Sequence, residues 1–369
     1  MKYLFILGRN VELSKAEVFS YFEKVENKIL SSELIQNGLL IELENQIEEK
    51  EIDSFGGVIS IGKVITFGDK NEIIKKLENG MLYLGTENKL NYTLWEFSNE
   101  SEFIKDYLKK RFRKEKLKAT FKHLNGSIKL QDGEHIYTPS SKLINEEYFV
   151  FGDNEIYFGK IVQTCNYSVL EERDMNKPVR REALAISPRL AKIMINLSKV
   201  KMKETLLDPF CGVGTFLSEA LLQKIKVIGV DKDKDAIAGA RQNLEWFGFS
   251  KENYGLINSD STKVEINLVD AITTEPDLGK TLKKIPTKNK AKETISDFER
   301  LIVKIINNLK EKISGRIVFT SPNIRIGKKR ISPNIEKILE ETGYKLIYQI
   351  PEYREKQIVG RMIYVLEKG

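Results

Sequence analysis

Two neighbouring segments of this chain constrain its fold more than any other feature. The first, residues 206–215 (LLDPFCGVGT), passes from an apolar run through Asp208 and a Gly-x-Gly turn toward an amphipathic helix. The second, residues 227–231 (VIGVD), is another apolar run and ends at Asp231. An open parallel sheet builds a nucleoside pocket in this way, at the carboxyl ends of two of its strands. The pair of segments therefore predicts an α/β fold with a ligand pocket at one edge of the sheet.

The residue types in these segments indicate the chemistry of the ligand. Gly212 and Gly214 permit positive φ angles and a close approach of the backbone to a ligand, and the start of the next helix favours an anionic group. Asp231 would accept hydrogen bonds from both ribose hydroxyls. A dinucleotide site is the alternative, but Phe216 and Leu217 occupy the region of the third glycine of GxGxxG, and no GK[ST] follows.

Residues 206–215 resemble motif I of class I methyltransferases, in the DPFCGSGT form used by enzymes that methylate exocyclic amines. The resemblance implies S-adenosylmethionine as the cofactor. Asp260 comes at the end of a predicted third strand, where the family uses an acid to accept from the adenine amine; the alternative is an aspartate in a surface turn. The predicted cofactor-binding residues are Asp208, Phe210, Gly212, Gly214, Thr215, Asp231 and Asp260.

Composition narrows the class of protein. The chain has 369 residues, enough for two domains, and its 41% hydrophobic and 31% charged residues are ordinary for a soluble globular protein. No apolar run reaches the ~18 residues that span a bilayer, and the first apolar run is too short for a signal peptide, so we expect a cytoplasmic protein without a membrane partner. With two cysteines and two histidines, we expect no disulfide framework and no metal site. The net charge of +7 suits a polyanionic partner.

The second half of the chain predicts alternating strands and helices. Because a short polar turn joins the last two β-rich runs, they predict a hairpin, and therefore one antiparallel strand in an otherwise parallel sheet. Seven strands in this order match the class I methyltransferase architecture, an α/β Rossmann-like sheet. The strands are expected at residues 206–207, 227–230, 254–258, 268–272, 316–320, 344–350 and 358–366.

The first half predicts a separate α+β region. Strands are expected at residues 2–7, 39–43, 58–64 and 92–97, interleaved with helices. We therefore divide the chain into an N-terminal region (1–165), a linker and helix (166–200) and a methyltransferase domain (201–369).

A basic stretch includes and follows a helix predicted over residues 102–113. It interleaves lysines and arginines with Tyr107, Phe112 and Phe121, a composition that suits a nucleic-acid surface, where contacts to phosphates supply affinity. The alternative is a solvated helix face with a few core aromatics. The predicted RNA-binding residues are Lys110, Arg111, Arg113 and Lys114.

The segment that joins the two halves carries a second resemblance. Residues 159–163 (GKIVQ), 172–180 (ERDMNKPVR) and 187–197 (SPRLAKIMINL) are similar to the passage before motif I in THUMP-containing tRNA guanosine-N2 methyltransferases of archaea and eukaryotes and their bacterial relatives. We identify the chain as a divergent, bacterial-type member of this family. The resemblance implies a THUMP-like RNA-binding domain in the first half, tRNA as the substrate and the guanosine N2 amine as the methyl acceptor. The sequence leaves open whether the protein is a monomer or needs an accessory subunit.

One motif departs from the family pattern. The family carries a D-P-P-Y-like motif after the fourth strand, whose first residue accepts from the target amine and whose aromatic ring stacks on the flipped base. Here residues 273–279 read TTEPDLG. Thr274 then replaces the acid and Asp277 the aromatic residue, whereas a shift by one residue makes Glu275 the acid. The candidate catalytic residues are Thr274, Glu275 and Asp277, and Phe210 or Tyr353 could supply the stacking ring.

This departure leaves three interpretations: an active variant with another stacking residue, an enzyme that methylates a different acceptor, or an RNA-binding protein that keeps the fold but no chemistry. The alternative enzyme is an amino-methyltransferase of DNA or ribosomal RNA, because such enzymes share motif I and a proline-containing motif after the fourth strand. Basic loops after the fourth and fifth strands lie on the cofactor rim, where contacts to a phosphate backbone position a substrate; the alternative is that they are solvated. A catalytic role for Cys211 is not expected, because it lies inside the cofactor turn. The loop residues are Lys280, Lys283, Lys284, Lys288, Lys290 and Lys292, and then Arg325, Lys328, Lys329 and Arg330.

Overall fold

The computed structural model describes residues 1–369 except 81, 125, 131–134, 139–142, 182–185, 279–281 and 283. The chain divides into two compact units, which are described separately. The first unit comprises Met1–Lys15, Asn27–Asp53 and Gly57–Cys165, and the second comprises Ala16–Glu26, Ser54–Gly56 and Asn166–Gly369.

The first unit is built on a mixed sheet. Its elements are β1 (Lys2–Leu7), β2 (Ile29–Ile35), β3 (Gly38–Leu43), β4 (Val58–Gly68), α2 (Lys70–Glu78), β5 (Lys89–Phe97), α3 (Ser101–Lys114), β6 (Lys118–Phe121), β7 (Gly126–Lys129), β8 (His135–Thr138), β9 (Glu146–Phe151) and β10 (Ile156–Thr164), and α1 (Val11–Lys24) begins in it. Eight strands pair in the order β2-β3-β1-β4-β10-β9-β5-β6, and β7 pairs with β8. β5 runs parallel to β6 and β9, and the other neighbours in the eight-stranded sheet are antiparallel.

Strand β9 shows why this half was harder to predict. Tyr148 and Val150 belong to a core cluster with residues of α2 and α3, whereas Phe149 and Phe151 belong to a second cluster. Successive side chains of a strand point to opposite faces, so both faces of the sheet are covered here. A strand buried on both faces is a continuous apolar run without alternation. The sequence analysis assigned no strand at β9 or β10.

The second unit contains the sheet predicted from the sequence. Its elements are α4 (Tyr167–Asn176), α5 (Pro188–Leu197), β11 (Thr205–Asp208), α6 (Thr215–Leu222), β12 (Lys226–Asp231), α7 (Lys234–Trp246), β13 (Tyr254–Asn258), β14 (Ala271–Thr274), α8 (Lys288–Leu309), β15 (Ile317–Ile326), β16 (Lys329–Ile331), α9 (Ile335–Thr342), β17 (Tyr344–Glu352) and β18 (Val359–Lys368). The strand order is β13-β12-β11-β14-β15-β18-β17. β18 is antiparallel to both of its neighbours, and β11 to β15 are parallel. The predicted class I methyltransferase architecture is confirmed.

The position of the fourth strand of this sheet was predicted wrongly. The apolar run predicted a strand over residues 268–272, but β14 begins at Ala271, which pairs with Leu206. Leu268 is 74% exposed, and Val269 forms only an isolated bridge to Ile313. Residues 268–270 form a connection, and the run becomes a strand only from Ala271, where β11 is available as a partner. The strand therefore ends at Thr274, directly before Glu275.

Part of the N-terminal sequence belongs to the second unit. In α1 the buried ammonium of Lys24 donates to Asn196 Oδ1 at 2.8 Å and to Gln223 Oε1 at 3.3 Å. Asn196 in turn donates to Glu17 Oε1 at 2.9 Å. Burial lowers the pKa of Lys24 to about 8, although the charge of Glu17 opposes the shift. The second unit therefore includes most of α1, whereas the sequence analysis divided the chain at residue 165.

Within the described ranges, no helix combines the length and the apolar character needed to cross a membrane.

Candidate functional site

The carboxyl ends of the parallel strands meet at one edge of the second unit's sheet. β11 ends at Asp208, β12 at Asp231 and β14 at Thr274. A cavity of about 770 Å³ opens at this edge. We call the part of its wall formed by Asp208, Phe210, Gly212, Asp231 and Asp260 the glycine half, and the part formed by Glu275, Asp277 and Arg361 the ion-pair half.

The turn between β11 and α6 has the conformation that its glycines predict. Gly212 has φ +50° and Gly214, the residue before α6, has φ +88°. A Cβ at Gly212 would meet no atom within 4 Å, so the backbone itself faces open space there. Side chains other than glycine adopt such angles at an energetic cost, and a bare backbone lets a ligand approach closely.

Asp231 is held by two backbone amides. Gly212 N–H donates to Oδ2 at 3.0 Å, and Asp233 N–H donates to Oδ1 at 2.9 Å. A carboxylate has about four acceptor positions, so each oxygen can accept one further donor. The geometry is suited to a pair of neighbouring hydroxyls in the cavity.

Asp208 is a buried carboxyl beside the cavity. Its Oδ1 accepts from the Thr274 hydroxyl at 2.6 Å and from Phe210 N–H at 3.1 Å. Its Oδ2 is buried and has no hydrogen-bond partner among the described residues. Burial raises the pKa of Asp208 to about 7, against the effect of the two hydrogen bonds, and the charges of Asp231 and Glu275 act in the same direction as burial. An acceptor without a partner fits a cationic donor on a ligand.

Asp260 lies in the turn after β13 and lines the cavity. Its Oδ1 accepts from the backbone N–H of Thr262 at 2.9 Å and from the Thr262 hydroxyl at 2.8 Å. These bonds lower the pKa of the exposed carboxyl. Asp260 therefore has both the surface-turn geometry and the cavity position that the sequence analysis weighed as alternatives.

The described part of the TTEPDLG segment, residues 273–278, begins at buried threonines and then lines the cavity from Glu275 to Leu278. Thr274 is buried and turns its hydroxyl toward Asp208. Glu275 forms a two-pronged ion pair with Arg361, in which Nε donates to Oε1 at 2.5 Å and Nη2 donates to Oε2 at 3.0 Å. Asp277 is exposed and lines the cavity. Sequence reasoning missed Arg361, because the pair joins residues far apart in the chain and belongs to no local motif.

The two aromatic candidates differ in position. Phe210 lines the cavity. The ring of Tyr353 is covered by Arg330, whose guanidinium carbon lies 4.0 Å from the ring centroid, and Tyr353 does not belong to the cavity wall described above. Cys211 is buried, and burial raises the pKa of its thiol, which is unfavourable for a nucleophilic thiolate.

The predicted RNA-binding residues lie on α3 of the first unit. Lys110, Arg113 and Lys114 are exposed. Arg111 instead donates to Leu77 O and Gly80 O, both at 2.7 Å, and pairs with Glu115. Its three nitrogens are therefore occupied within the unit.

The basic loops of the second unit are only partly covered by the structure. Lys280 and Lys283 lie outside the described residues. Lys284 is exposed, and α8 begins at Lys288. Lys290 pairs with Glu293 at 2.8 Å on that helix. Three of the four residues expected in a loop after the fifth strand lie in strands instead: Arg325 belongs to β15, and Lys329 and Arg330 belong to β16. Arg325 donates to Gly327 O at 3.0 Å, and Arg330 donates to Asn323 O of β15 at 2.8 Å and to Gln357 O.

Comparison with known proteins identifies the family. A model described as "RMKL-like, methyltransferase domain" matches residues 177–323. A protein of Methanothermococcus thermolithotrophicus named "Probable tRNA (guanine(10)-N2)-dimethyltransferase" is 35% identical over 142 residues, which are 36% of this chain and 79% of that protein. The chain belongs to the tRNA guanine-N2 methyltransferase family. A model described as "DNA methylase" matches residues 46–242, just over half of the chain, so the chain is a member of that family of methylases as well.

Further members of the family match over different lengths. A tRNA (guanine(10)-N2)-dimethyltransferase of Methanothermobacter thermautotrophicus is 42% identical over 32% of this chain, but the match spans only 37% of that relative. A tRNA (guanine(10)-N2)-dimethyltransferase of Methanocaldococcus jannaschii is 26% identical over 86% of this chain and 85% of its own length. The crystal structure of TrmN from Thermus thermophilus, at 13% identity, covers all of both chains with a TM-score of 0.55 and shows the likeness of the folds.

Family membership supports S-adenosylmethionine as the cofactor, and the cavity fits that molecule. Asp231 has acceptor positions for two ribose hydroxyls. The unpartnered Oδ2 of Asp208 would be an acceptor for the cationic amino group of the methionine part. Helix α6 begins at Thr215, directly after Gly214, and the start of a helix would favour the carboxylate. Asp260 could accept from the adenine amine.

Proposed function

We propose that this protein transfers a methyl group from S-adenosylmethionine to the N2 amine of a guanosine in tRNA. The observation that carries the proposal is the cavity, whose wall joins Asp231 of the nucleoside-type site to Glu275 and Asp277 of the segment after β14. Two relatives are named for methylation of guanine at position 10 of tRNA, so guanosine 10 is the first acceptor to test.

The proposal assigns separate roles to the three candidate catalytic residues. The guanine N2 lone pair is delocalised into the ring, so an acceptor that fixes the amine toward the methyl group assists the attack. Bound S-adenosylmethionine would supply the electrophilic methyl group. Asp277 lines the cavity, and we assign to its carboxylate the hydrogen bond from the amine and the uptake of the proton that the amine loses.

The other two residues support this arrangement. Glu275 is held by Arg361 and by the Thr320 hydroxyl, which donates to Oε1 at 3.1 Å. Both oxygens of the Glu275 carboxylate therefore already accept hydrogen bonds, so we assign to Glu275 the positioning of Arg361. Thr274 acts through its hydrogen bond to Asp208 and so positions the cofactor end of the cavity.

Binding of tRNA completes the proposal. Lys110, Arg113 and Lys114 form an exposed basic face on α3, in the unit for which the sequence implies a THUMP-like module. Phosphate contacts from such a face would position the substrate without selecting its sequence. A tRNA substrate also supports the predicted cytoplasmic location.

The test uses purified full-length protein, an unmodified tRNA transcript and isotopically labelled S-adenosylmethionine. The expected result is labelled N2-methylguanosine in the digested tRNA, detected by mass spectrometry. A transcript with adenosine at position 10 should lose the label if that position is the acceptor. Label in no nucleoside of the tRNA pool would contradict the proposal.

A second candidate function is RNA binding without methyl transfer. It is favoured by Glu275, whose carboxylate is engaged by Arg361, and by the carboxylate of Asp277 at the position of the family's stacking ring. On this alternative the protein binds S-adenosylmethionine and tRNA but labels neither RNA nor DNA in the same assay. Label in DNA alone would instead support the amino-methyltransferase alternative that the DNA methylase match suggests.

A further inference from the structure

Arg361 is fixed in a defined orientation in the ion-pair half of the cavity. Its Nε and Nη2 donate to the two oxygens of Glu275, and Thr320 donates to the same carboxylate. The side chains of Arg361 and Glu275 are 22% and 11% exposed. A guanidinium held on one edge by a carboxylate loses little further freedom when a ligand binds its other edge.

The geometry of the pair leaves one edge of the guanidinium for a ligand. Pairing through Nε and Nη2 uses one side of the planar fork. The adjacent edge, at the end of the side chain, consists of an N–H of Nη1 and the second N–H of Nη2, and Nη1 has no hydrogen bond among the described residues. These two donors are parallel. Arginine in this form pairs with two neighbouring acceptors, such as the O6 and N7 atoms of guanine.

We propose that Arg361 recognises the O6–N7 edge of the target guanine and makes the site selective for guanine over adenine. This inference rests on the proposed function, since it concerns the base that enters the same cavity. Adenine presents an amine in place of O6, so one donor of Arg361 would face another donor and remain without a partner. Glu275 and Thr320 are positioning residues, because they act on the base through Arg361.

The proposed orientation agrees with the chemistry at the other residues of the cavity. Recognition at O6 and N7 leaves the N2 amine on the opposite edge of the base. The amine is then available to the methyl donor and to Asp277. The ion pair therefore does not replace the family's acid in function; it contributes selectivity for the base.

The experiment compares 7-deazaguanosine with guanosine at the target position. The analogue keeps O6 and the N2 amine but has a C–H in place of N7, so it removes one acceptor and leaves the reacting group intact. We expect the substitution to reduce kcat/KM and RNA affinity of the wild type by about 5-fold or more, in the range of a bidentate contact. In Arg361→Lys, which keeps the charge opposite Glu275 but lacks the fork, guanosine and 7-deazaguanosine should differ by less than 2-fold.

A matched control is available at another arginine–glutamate pair of the same sheet. Arg316, directly before β15, pairs with Glu367 of β18 at 3.2 Å, outside the wall of the cavity. Arg316→Lys should keep the wild-type preference for guanosine. S-adenosylmethionine affinity and thermal unfolding of both variants show whether each one folds.

The outcomes separate this inference from the proposed function. If the wild type methylates guanosine and 7-deazaguanosine equally, or if Arg361→Lys keeps the full preference, the role of Arg361 is wrong while the methyltransferase proposal stands. If no RNA is methylated, the proposed function fails. The role of Arg361 is then tested by the binding affinities of the guanosine and 7-deazaguanosine RNAs. A preference for guanosine that depends on Arg361 then supports it, and equal binding of both RNAs overturns it. Equal weakening of the affinity for both RNAs in Arg361→Lys would indicate a phosphate contact and also overturns it.

Discussion

The glycine half and the ion-pair half of the cavity are constructed from different parts of the chain. In the glycine half, the backbone N–H groups of Phe210, Gly212 and Asp233 donate to the carboxylates of Asp208 and Asp231, and the Thr274 hydroxyl adds one bond from a distant part of the chain. In the ion-pair half, Glu275 is held by side chains of two other strands, Thr320 of β15 and Arg361 of β18. A turn that requires a particular backbone geometry tolerates few residue types at its positions. The two side chains of a long-range pair can instead be replaced together. This difference is consistent with a motif I that matches the family and a motif after β14 that does not.

The largest expected effect concerns the buried acid of the glycine half. The pKa of Asp208 is raised from 3.8 to about 7, so its contribution to stability is present below pH 4 and is lost as the pH rises through 7. Asp208→Asn removes this titration. The free energy of unfolding of Asp208→Asn, compared with that of wild type at the same pH, should therefore rise from pH 5 to pH 8. Above pH 7 the gain over the acidic limit should reach up to about 4 kcal/mol.

Urea unfolding at the two pH values measures this difference. The matched control is Asp260→Asn, since hydrogen bonds from Thr262 lower the pKa of Asp260 and a gain of stability toward pH 8 is not expected. An Asp208→Asn variant with the same pH dependence as wild type would show that burial of this carboxyl costs little.

The second prediction compares two carboxylates of the ion-pair half. Asp277→Ala should lower turnover roughly 100-fold at unchanged S-adenosylmethionine affinity, because it removes the proposed acceptor of the amine. Asp277→Asn keeps an acceptor oxygen and should lose less. Glu275→Gln should have a smaller effect, since it retains one acceptor for Arg361. Single-turnover methylation of tRNA measures all three, and a 100-fold loss in Glu275→Gln alone would make Glu275 the acid.

The third prediction returns to the glycine half. Asp231→Ala removes the acceptor of both ribose hydroxyls and should weaken S-adenosylmethionine binding by roughly 10- to 100-fold, since a hydrogen bond to a charged group contributes about 1.5–3 kcal/mol. Calorimetry on the folded variant measures the change. Asp235→Ala, on the exposed face of α7, is the control and should bind as wild type does. Wild-type affinity in Asp231→Ala would place the nucleoside elsewhere.

The smallest expected effect concerns the basic face of α3, which lies outside both halves of the cavity and is proposed to bind tRNA. Neutralising Lys110, Arg113 and Lys114 together should flatten the salt dependence of tRNA affinity, by about 0.7–0.9 in log–log slope for each phosphate that these side chains neutralise. Arg111 is left in place because it holds the ends of α2 and α3 together. Neutralising three exposed lysines of the second unit, Lys203, Lys226 and Lys304, is the control. Equal slopes in the two variants would show that α3 is only solvated.

Much of the glycine half could be predicted from the sequence. The turn at Gly212, the strand that ends at Asp231 and the helix after Gly214 depend on residues that are close in the chain. Local backbone preferences and hydrophobic periodicity determine such elements. The antiparallel strand at the end of the sheet followed from the hairpin of β17 and β18 for the same reason.

The sequence by itself determined the class of fold, the family and the residues around the cofactor turn. Only the tertiary structure decided that β14 begins at Ala271, that Lys24 bonds to Asn196, that Arg111 is occupied within its unit and that Glu275 faces Arg361. Each of these depends on a partner distant in the chain, and the packing of helices and strands brings that partner within reach. A side chain's chemical type indicates what it can bind, but its available partners determine which of those interactions forms.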